Sequence, residues 1–220
     1  MKSRPDPTTT AFAILGMIAI RPMTPYELAG WFDRSLGRLW PRARSKLFEG
    51  PKNLVALGYA KATKESSGGR RKTRYTITPA GRRALAAWLE EPGAGPSLEF
   101  EQLLKVFFAE HSSKRAVIAN LQAAADWAYA RIEHNVGVGG SYFGGTGPFQ
   151  ERAPQLIITG VFLGEFALLV DTWSRWALDV VGRWPSDTEA AKPDRDALAA
   201  INRKTERRLR ELRKLREESA

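Results

Sequence analysis

Residues 41–88, PRARSKLFEGPKNLVALGYAKATKESSGGRRKTRYTITPAGRRALAAW, limit what this chain can fold into more than any other stretch. They read as a helix carrying cations, two strand-like runs around Ser66-Ser67-Gly68-Gly69, and a second helix opened by Thr78-Pro79. Serine and glycine between β-prone runs mark a hairpin turn, and threonine before proline marks a helix start. The strands are expected over residues 59–65 and 73–78, with Tyr59, Thr63, Tyr75 and Ile77 packed. The first helix is expected over residues 41–57, with Leu47, Leu54 and Leu57 inward and Gly58 as its stop. Gly50-Pro51 falls inside it, and proline removes a backbone donor and disfavours a helical residue before it. A kink or break is expected there.

Charge separates the chain into two parts. The net +10 is carried by residues 1–90, where 17 Lys/Arg stand against 6 Asp/Glu, a balance of +11. The remaining residues hold 17 against 18, a balance of −1. A basic excess confined to one domain-sized segment is the footprint of a polyanion partner, because neutralised phosphates release condensed counterions. There is no cysteine, which excludes disulfides and thiolate metal sites, and the two histidines, His111 and His134, lack metal-ligand spacing. Residues 11–20 are apolar behind Lys2 and Arg4, but Arg21-Pro22-Met23-Thr24 is no signal-peptide cleavage site. A buried first helix over residues 8–20 fits better. Residues 156–170 are apolar but short for a bilayer span and contain Glu165, so no membrane segment is expected.

The remaining organisation follows from caps and breakers. Residues 1–7 read as an arm. Thr24 and Pro25 open a second helix containing Tyr26, Leu28, Ala29 and Phe32. The segment EPGAGPSL, residues 91–98, is a linker between residues 1–90 and residues 99–220. Beyond it, helices are expected near residues 100–110, 113–135, 154–184 and 194–217. A glycine-rich loop, six glycines within residues 137–147, interrupts them.

Two groups of side chains carry chemistry suited to nucleic acid. Arg42, Arg44, Ser45, Lys46, Lys52 and Asn53 are donors of the kinds that reach phosphates or base edges. Arg70, Arg71, Lys72 and Arg74 crowd the hairpin, where like charges repel unless an anion is present. Arg44, Ser45 and Lys46 are the base-edge candidates and the other cations are phosphate holders. The same face would also suit an acidic protein partner, and that alternative stays open.

The order of motifs resembles the PadR family of bacterial transcription regulators. The residues that carry the resemblance are Ile14-Leu15-Gly16, residues 21–28 (RPMTPYEL), residues 47–58 (LFEGPKNLVALG) and residues 75–85 (YTITPAGRRAL). Residues 99–108 (EFEQLLKVFF) match more loosely. Phe48 stands where the family usually has tyrosine, and Asn53 where it has arginine. The resemblance implies a mainly α protein. A winged helix-turn-helix, three helices plus a two-stranded wing, would precede an all-helical dimerisation domain that often senses a small molecule. It implies a cytoplasmic homodimer that binds a double-stranded DNA operator, a repressor answering to an effector, with no cofactor and no metal.

In the second half, Leu198, Ile201, Leu212 and Leu215 form a short heptad-like seam suited to dimer packing. Phe162, Phe166, Trp173 and Trp176 lie on an aromatic stripe, a candidate effector site in which Trp173 and Trp176 would stack a flat effector and Glu165 would compensate a cationic one. The alternative is plain core or subunit interface. No Cys/His pairing and no GxGxxG motif supports catalysis, so an enzyme is not expected.

Overall fold

The computed structural model describes residues 7–67 and 70–219, without the side chains of residues 42, 43, 67 and 70. The described residues form eight α-helices and one two-stranded antiparallel sheet. This is the mainly α architecture, a winged helix followed in sequence by a helical domain, that the sequence suggests. The chain divides into two compact units, Met1–Pro96 and Ser97–Ala220.

The first unit is built on α1 (Thr9–Ile20), α2 (Pro25–Arg34) and α3 (Gly50–Ala56), followed by β1 (Ala60–Ser67), β2 (Arg70–Ile77) and α4 (Pro79–Glu90). Its helix starts follow capping chemistry. Thr24 Oγ1 accepts from the Glu27 backbone N–H at 3.3 Å, and the Glu27 carboxylate accepts from the Thr24 backbone N–H at 2.8 Å. This capping box satisfies two donors that α2 would otherwise leave bare. Thr78 caps α4 by its side chain alone, accepting from the Gly81 backbone N–H at 3.0 Å, and its hydroxyl donates to the Gly58 carbonyl at 2.7 Å. Gly58, at φ 78°, makes the turn that leaves α3, a conformation costly for any residue with a Cβ.

Ile14, Leu15, Ile18, Leu28, Phe32, Leu47 and Leu54 form the core of this unit, closed by Tyr75 and Ile77 from the sheet. Phe12 and Trp88 stack at 5.0 Å and fasten α4 to α1. Two close approaches need glycine. A Cβ on Gly50 would lie 2.3 Å from Ile14 Cδ1, and one on Gly81 would lie 2.2 Å from the Tyr59 carbonyl oxygen.

The expected single helix over residues 41–57 is replaced by two pieces. Pro41–Lys46 is a 3₁₀ helix, residues 47–49 turn, and α3 begins at Gly50. Pro51 is thereby placed in the first turn of α3, where its missing N–H has no intrahelical partner to lose. The break removes the conflict by lying before Gly50-Pro51. Thr63, expected to pack, is exposed.

The second unit contains α5 (Glu101–Phe107), α6 (Lys114–Phe143), α7 (Ala153–Gly182) and α8 (Arg195–Glu218). Helices α6 and α7 are antiparallel neighbours. Asn135 Nδ2 donates to the Leu163 carbonyl at 3.5 Å near one end. Near the other end, Lys114 Nζ donates to the Gly182 and Trp184 carbonyls at 2.7 and 2.6 Å. Their buried stripe is made of Val117, Leu121, Ala124 and Ala128 against Ala167, Val170, Ser174, Ala177 and Val181. The glycine-rich loop expected over residues 137–147 is helical as far as Phe143. Helix propensity is a weak preference, and the low values of Gly137, Gly139 and Gly140 do not end a helix already running from Lys114. Residues 150–182 are long and apolar enough, by length and composition, to cross a bilayer, with mean hydropathy 1.8 in the most apolar window. Only 11% of that window is buried, and Asp171, Arg175 and Asp179 lie on the same helix.

Candidate nucleic-acid interface

The cationic side chains of the first unit are held out by buried neighbours. Leu47 is fully enclosed, and Gly50, Pro51 and Leu54 are buried on the next turn. Helical spacing then leaves Phe48, Glu49, Lys52 and Asn53 exposed. Arg44, Ser45 and Lys46 are exposed on the 3₁₀ turn just before. Arg44 lies 3.4 Å from the Asp33 carboxylate on α2, and Lys52 Nζ donates to Glu49 Oε1 at 2.8 Å. That hydrogen bond holds the Lys52 ammonium above its ordinary range. Both pairs are solvent-exposed, so they cost little to exchange for phosphate.

The hairpin pairs in register from Ala60 with Ile77 to Ser67 with Arg70. Arg71 and Lys72 are exposed on β2. The Gly68-Gly69 turn lies outside the described residues, and so do the side chains of Arg42 and Arg70.

Arg74 behaves differently from its neighbours. Its Nε donates to both Glu65 oxygens at 2.8 and 3.0 Å. Its Nη1 donates to Glu27 Oε2 at 2.9 Å and to the Pro22 carbonyl at 3.1 Å. The guanidinium therefore joins β1 and β2 to the capping box of α2. Next to it, Met23 and Tyr75 exchange backbone hydrogen bonds at 3.1 and 2.8 Å, which adds a short bridge to the edge of β2. Glu27 is held below the ordinary carboxylate range, mainly by the Thr24 backbone N–H, with Arg74 adding to the effect and burial opposing it. Arg74 is thus built into the frame that aims the wing, with only Nη2 free of a described acceptor.

Lys61 and Lys64 on β1, and Arg82 and Arg83 in the first turn of α4, are exposed cations outside the sequence-derived set. Strand alternation from the buried Ala60 would have marked Lys61 as outward-facing, and the helical register after Thr78 would have marked Arg82 and Arg83; Lys64 shares the face of Ala60, so alternation does not find it.

In the second unit the five proposed effector residues do not converge. Phe166 meets the edge of Trp127 at 6.2 Å, and Trp173 meets Phe100 at 5.5 Å. Phe162, Glu165 and Trp176 are exposed. From Phe162 to Trp176 the helix climbs roughly 21 Å at 1.5 Å per residue, so one planar ligand cannot touch them all. A cavity of about 600 Å³ lies instead at the end of α7, lined by Val180, Arg183, Trp184, Pro185, Ala190, Lys192 and Asp194. Leu198, Ile201, Leu212 and Leu215 share α8 with Leu209, and all five are exposed. No residue of α8 is buried. Among the described residues no group of three or more acidic or histidine side chains gathers as a metal site.

No family model matches the chain. Over 106 residues it is 26% identical to the negative transcriptional regulator PadR of Bacillus subtilis, a match covering 47% of this chain and 58% of that protein. Over 81 residues it is 33% identical to a probable transcriptional regulator of Mycobacterium tuberculosis, covering 36% of this chain and 43% of the relative. The chain thus spans about half the length of the curated relatives it matches. The fold is similar over a longer stretch. The crystal structure of B. subtilis PadR in complex with operator DNA has a TM-score of 0.67 at 19% identity, covering 79% of this chain and 99% of that one. The same protein in complex with p-coumaric acid gives 0.60 at 20% identity, covering 82% and 99%. The resemblance drawn from the residues is borne out.

Proposed function

We infer that this chain, PadR-like in sequence and in fold, is a sequence-specific DNA-binding transcription regulator of the cytoplasm that works as a homodimer. The observation that supports it best is the clustering of exposed cations. Arg44, Lys46, Lys52, Arg71 and Lys72 are all exposed on the turn into α3 and on the wing, which buried neighbours and the Arg74 clamp hold in place. A recognition helix of this kind enters the major groove, with the wing on the flanking backbone. Arg44, Ser45 and Lys46 would reach base edges. Arg42, Lys52, Arg70, Arg71 and Lys72 would hold phosphates, and Asn53 would support the backbone contact.

Dimerisation would use the apolar seam of α8, which single-chain folding leaves uncovered. Two subunits would then meet two half-sites one helical turn apart. The regulator would act as a repressor released by an effector bound in the helical unit. An aromatic acid, the class bound by B. subtilis PadR, is the first compound to try.

The test is binding to the promoter fragment upstream of its own gene across a salt series. Saturable, sequence-preferring binding whose logarithm falls linearly with the logarithm of salt is expected, with a slope near −0.9 per phosphate contacted. Binding to acidic peptides with no preference among DNA fragments would replace this reading with that of a protein-interaction module.

A further inference from the structure

We propose that Phe48 reads a thymine, packing its ring against the 5-methyl group in the major groove. The inference rests on the DNA-binding reading above. Phe48 is 56% exposed, although Leu47 before it and Gly50, Pro51 and Leu54 after it are all buried. The backbone is pinned on both sides of the ring, so the fold holds Phe48 outward. A lone exposed phenylalanine is ordinary on a protein surface and needs no explanation by itself.

Its surroundings change the argument. Arg44 and Lys46 precede Phe48, Lys52 follows four residues on, and all three are exposed. Once phosphates bring DNA against those cations, the ring loses its water. A phenyl group then needs an apolar surface, because it offers neither donor nor acceptor. The major-groove edges of guanine, cytosine and adenine present only donors and acceptors, while thymine adds a methyl group. Thymine is therefore the base that matches Phe48. A hydroxyl on the ring would open other choices, and this chain does not have it.

The experiment uses the full chain and a duplex selected by it from a randomised pool. Each thymine is replaced singly by deoxyuridine, which removes only the methyl. In the wild type, one position per half-site should weaken binding about fourfold, the worth of one buried methyl. Phe48→Ala should bind the thymine and deoxyuridine duplexes equally, whereas Phe48→Leu should keep part of the difference. Because the ring is exposed, both variants should keep the wild-type far-ultraviolet circular dichroism. The proposal is overturned if no thymine shows the effect, or if Phe48→Ala keeps it. A wild-type chain that selects no duplex at all removes the DNA reading, and this inference with it.

Discussion

The two units of this protein solve the burial problem in opposite ways. In the first, short helices converge from several directions on large side chains, and Ile14, Leu15, Phe32 and Leu47 are completely enclosed. In the second, two thirty-residue helices lie side by side, and their shared stripe is mostly alanine, serine and valine. Its large apolar groups turn outward: Ile158 is 74% exposed and Leu169 63%. Exposed apolar groups in that number on one helix are a feature of interaction surfaces. The first unit keeps its apolar residues for itself and shows charge on its surface. The second keeps its small residues for itself and shows apolar surface.

The largest test of this contrast is truncation on each side of it. Phe32→Ala should lower stability by about 3–5 kcal/mol, since the surrounding core cannot collapse onto the gap. Leu169→Ala should change the stability of an isolated chain by no more than about 0.5 kcal/mol and instead weaken self-association. Urea denaturation and sedimentation velocity read the two effects separately. Equal losses of stability would erase the distinction.

Glycines sharpen the same contrast at a smaller scale. Gly81→Ala places a methyl against a backbone carbonyl that cannot rotate away, and a cost of about 2–3 kcal/mol is expected. A Cβ on Gly164, inside α7, meets nothing within 4 Å. Gly164→Ala should therefore stabilise the chain by about 0.5–1 kcal/mol through helix propensity. If thermal melting shows it stabilised while dimerisation weakens, the open space beside Gly164 is filled by the second copy.

Much of the first unit was legible because its signals are local. Thr24-Pro25 before Tyr26, Glu27 three residues after Thr24, and Gly58 at a helix end each act within one turn. The Gly50-Pro51 pair was legible as a disturbance but not as a beginning. Proline is costly inside a helix and harmless in its first turn, and only the burial of Leu47 decides which applies. At residues 137–143 the glycines favour a loop, yet the helix begun at Lys114 continues through them to Phe143. Arg74 could not be read at all. Its charge looks like that of Arg71, and its partner Glu27 lies 47 positions away. The aromatic stripe on α7 shows the limit of regular spacing, which places residues on one helix face but does not say which of them share a neighbour: Phe166 meets Trp127 and Trp173 meets Phe100.

Arg74 gives the next test, because sequence and structure assign it different roles. A phosphate contact and a frame residue both support DNA binding, but they differ in salt dependence. Arg71→Gln should reduce the slope of log affinity against log salt by about one contact's worth. Arg74→Gln should weaken binding severalfold and leave that slope in place. Glu27→Gln, which removes a negative charge, should weaken binding in the same direction, and the double substitution should add little to either. Improved binding by Glu27→Gln would return Arg74 to the set of direct DNA contacts.

The smallest effect is on the acid side of the same clamp. The Glu27 carboxyl titrates below its ordinary range in the folded chain, mainly because the Thr24 backbone N–H donates to its charged form. A depressed carboxylate contributes stability that is complete above its unfolded value and fades as pH falls through the folded one. Wild type should therefore exceed Glu27→Gln in stability at pH 7, and the two should converge as the solution is made more acidic than an ordinary carboxylate. The side chain is 43% exposed, so solvent screening limits the difference to about 1 kcal/mol or less. Urea midpoints of both proteins at pH 7, 5 and 3 measure it. A gap that widens toward acid would mean that the neutral amide, and not the carboxylate, is the better cap for α2.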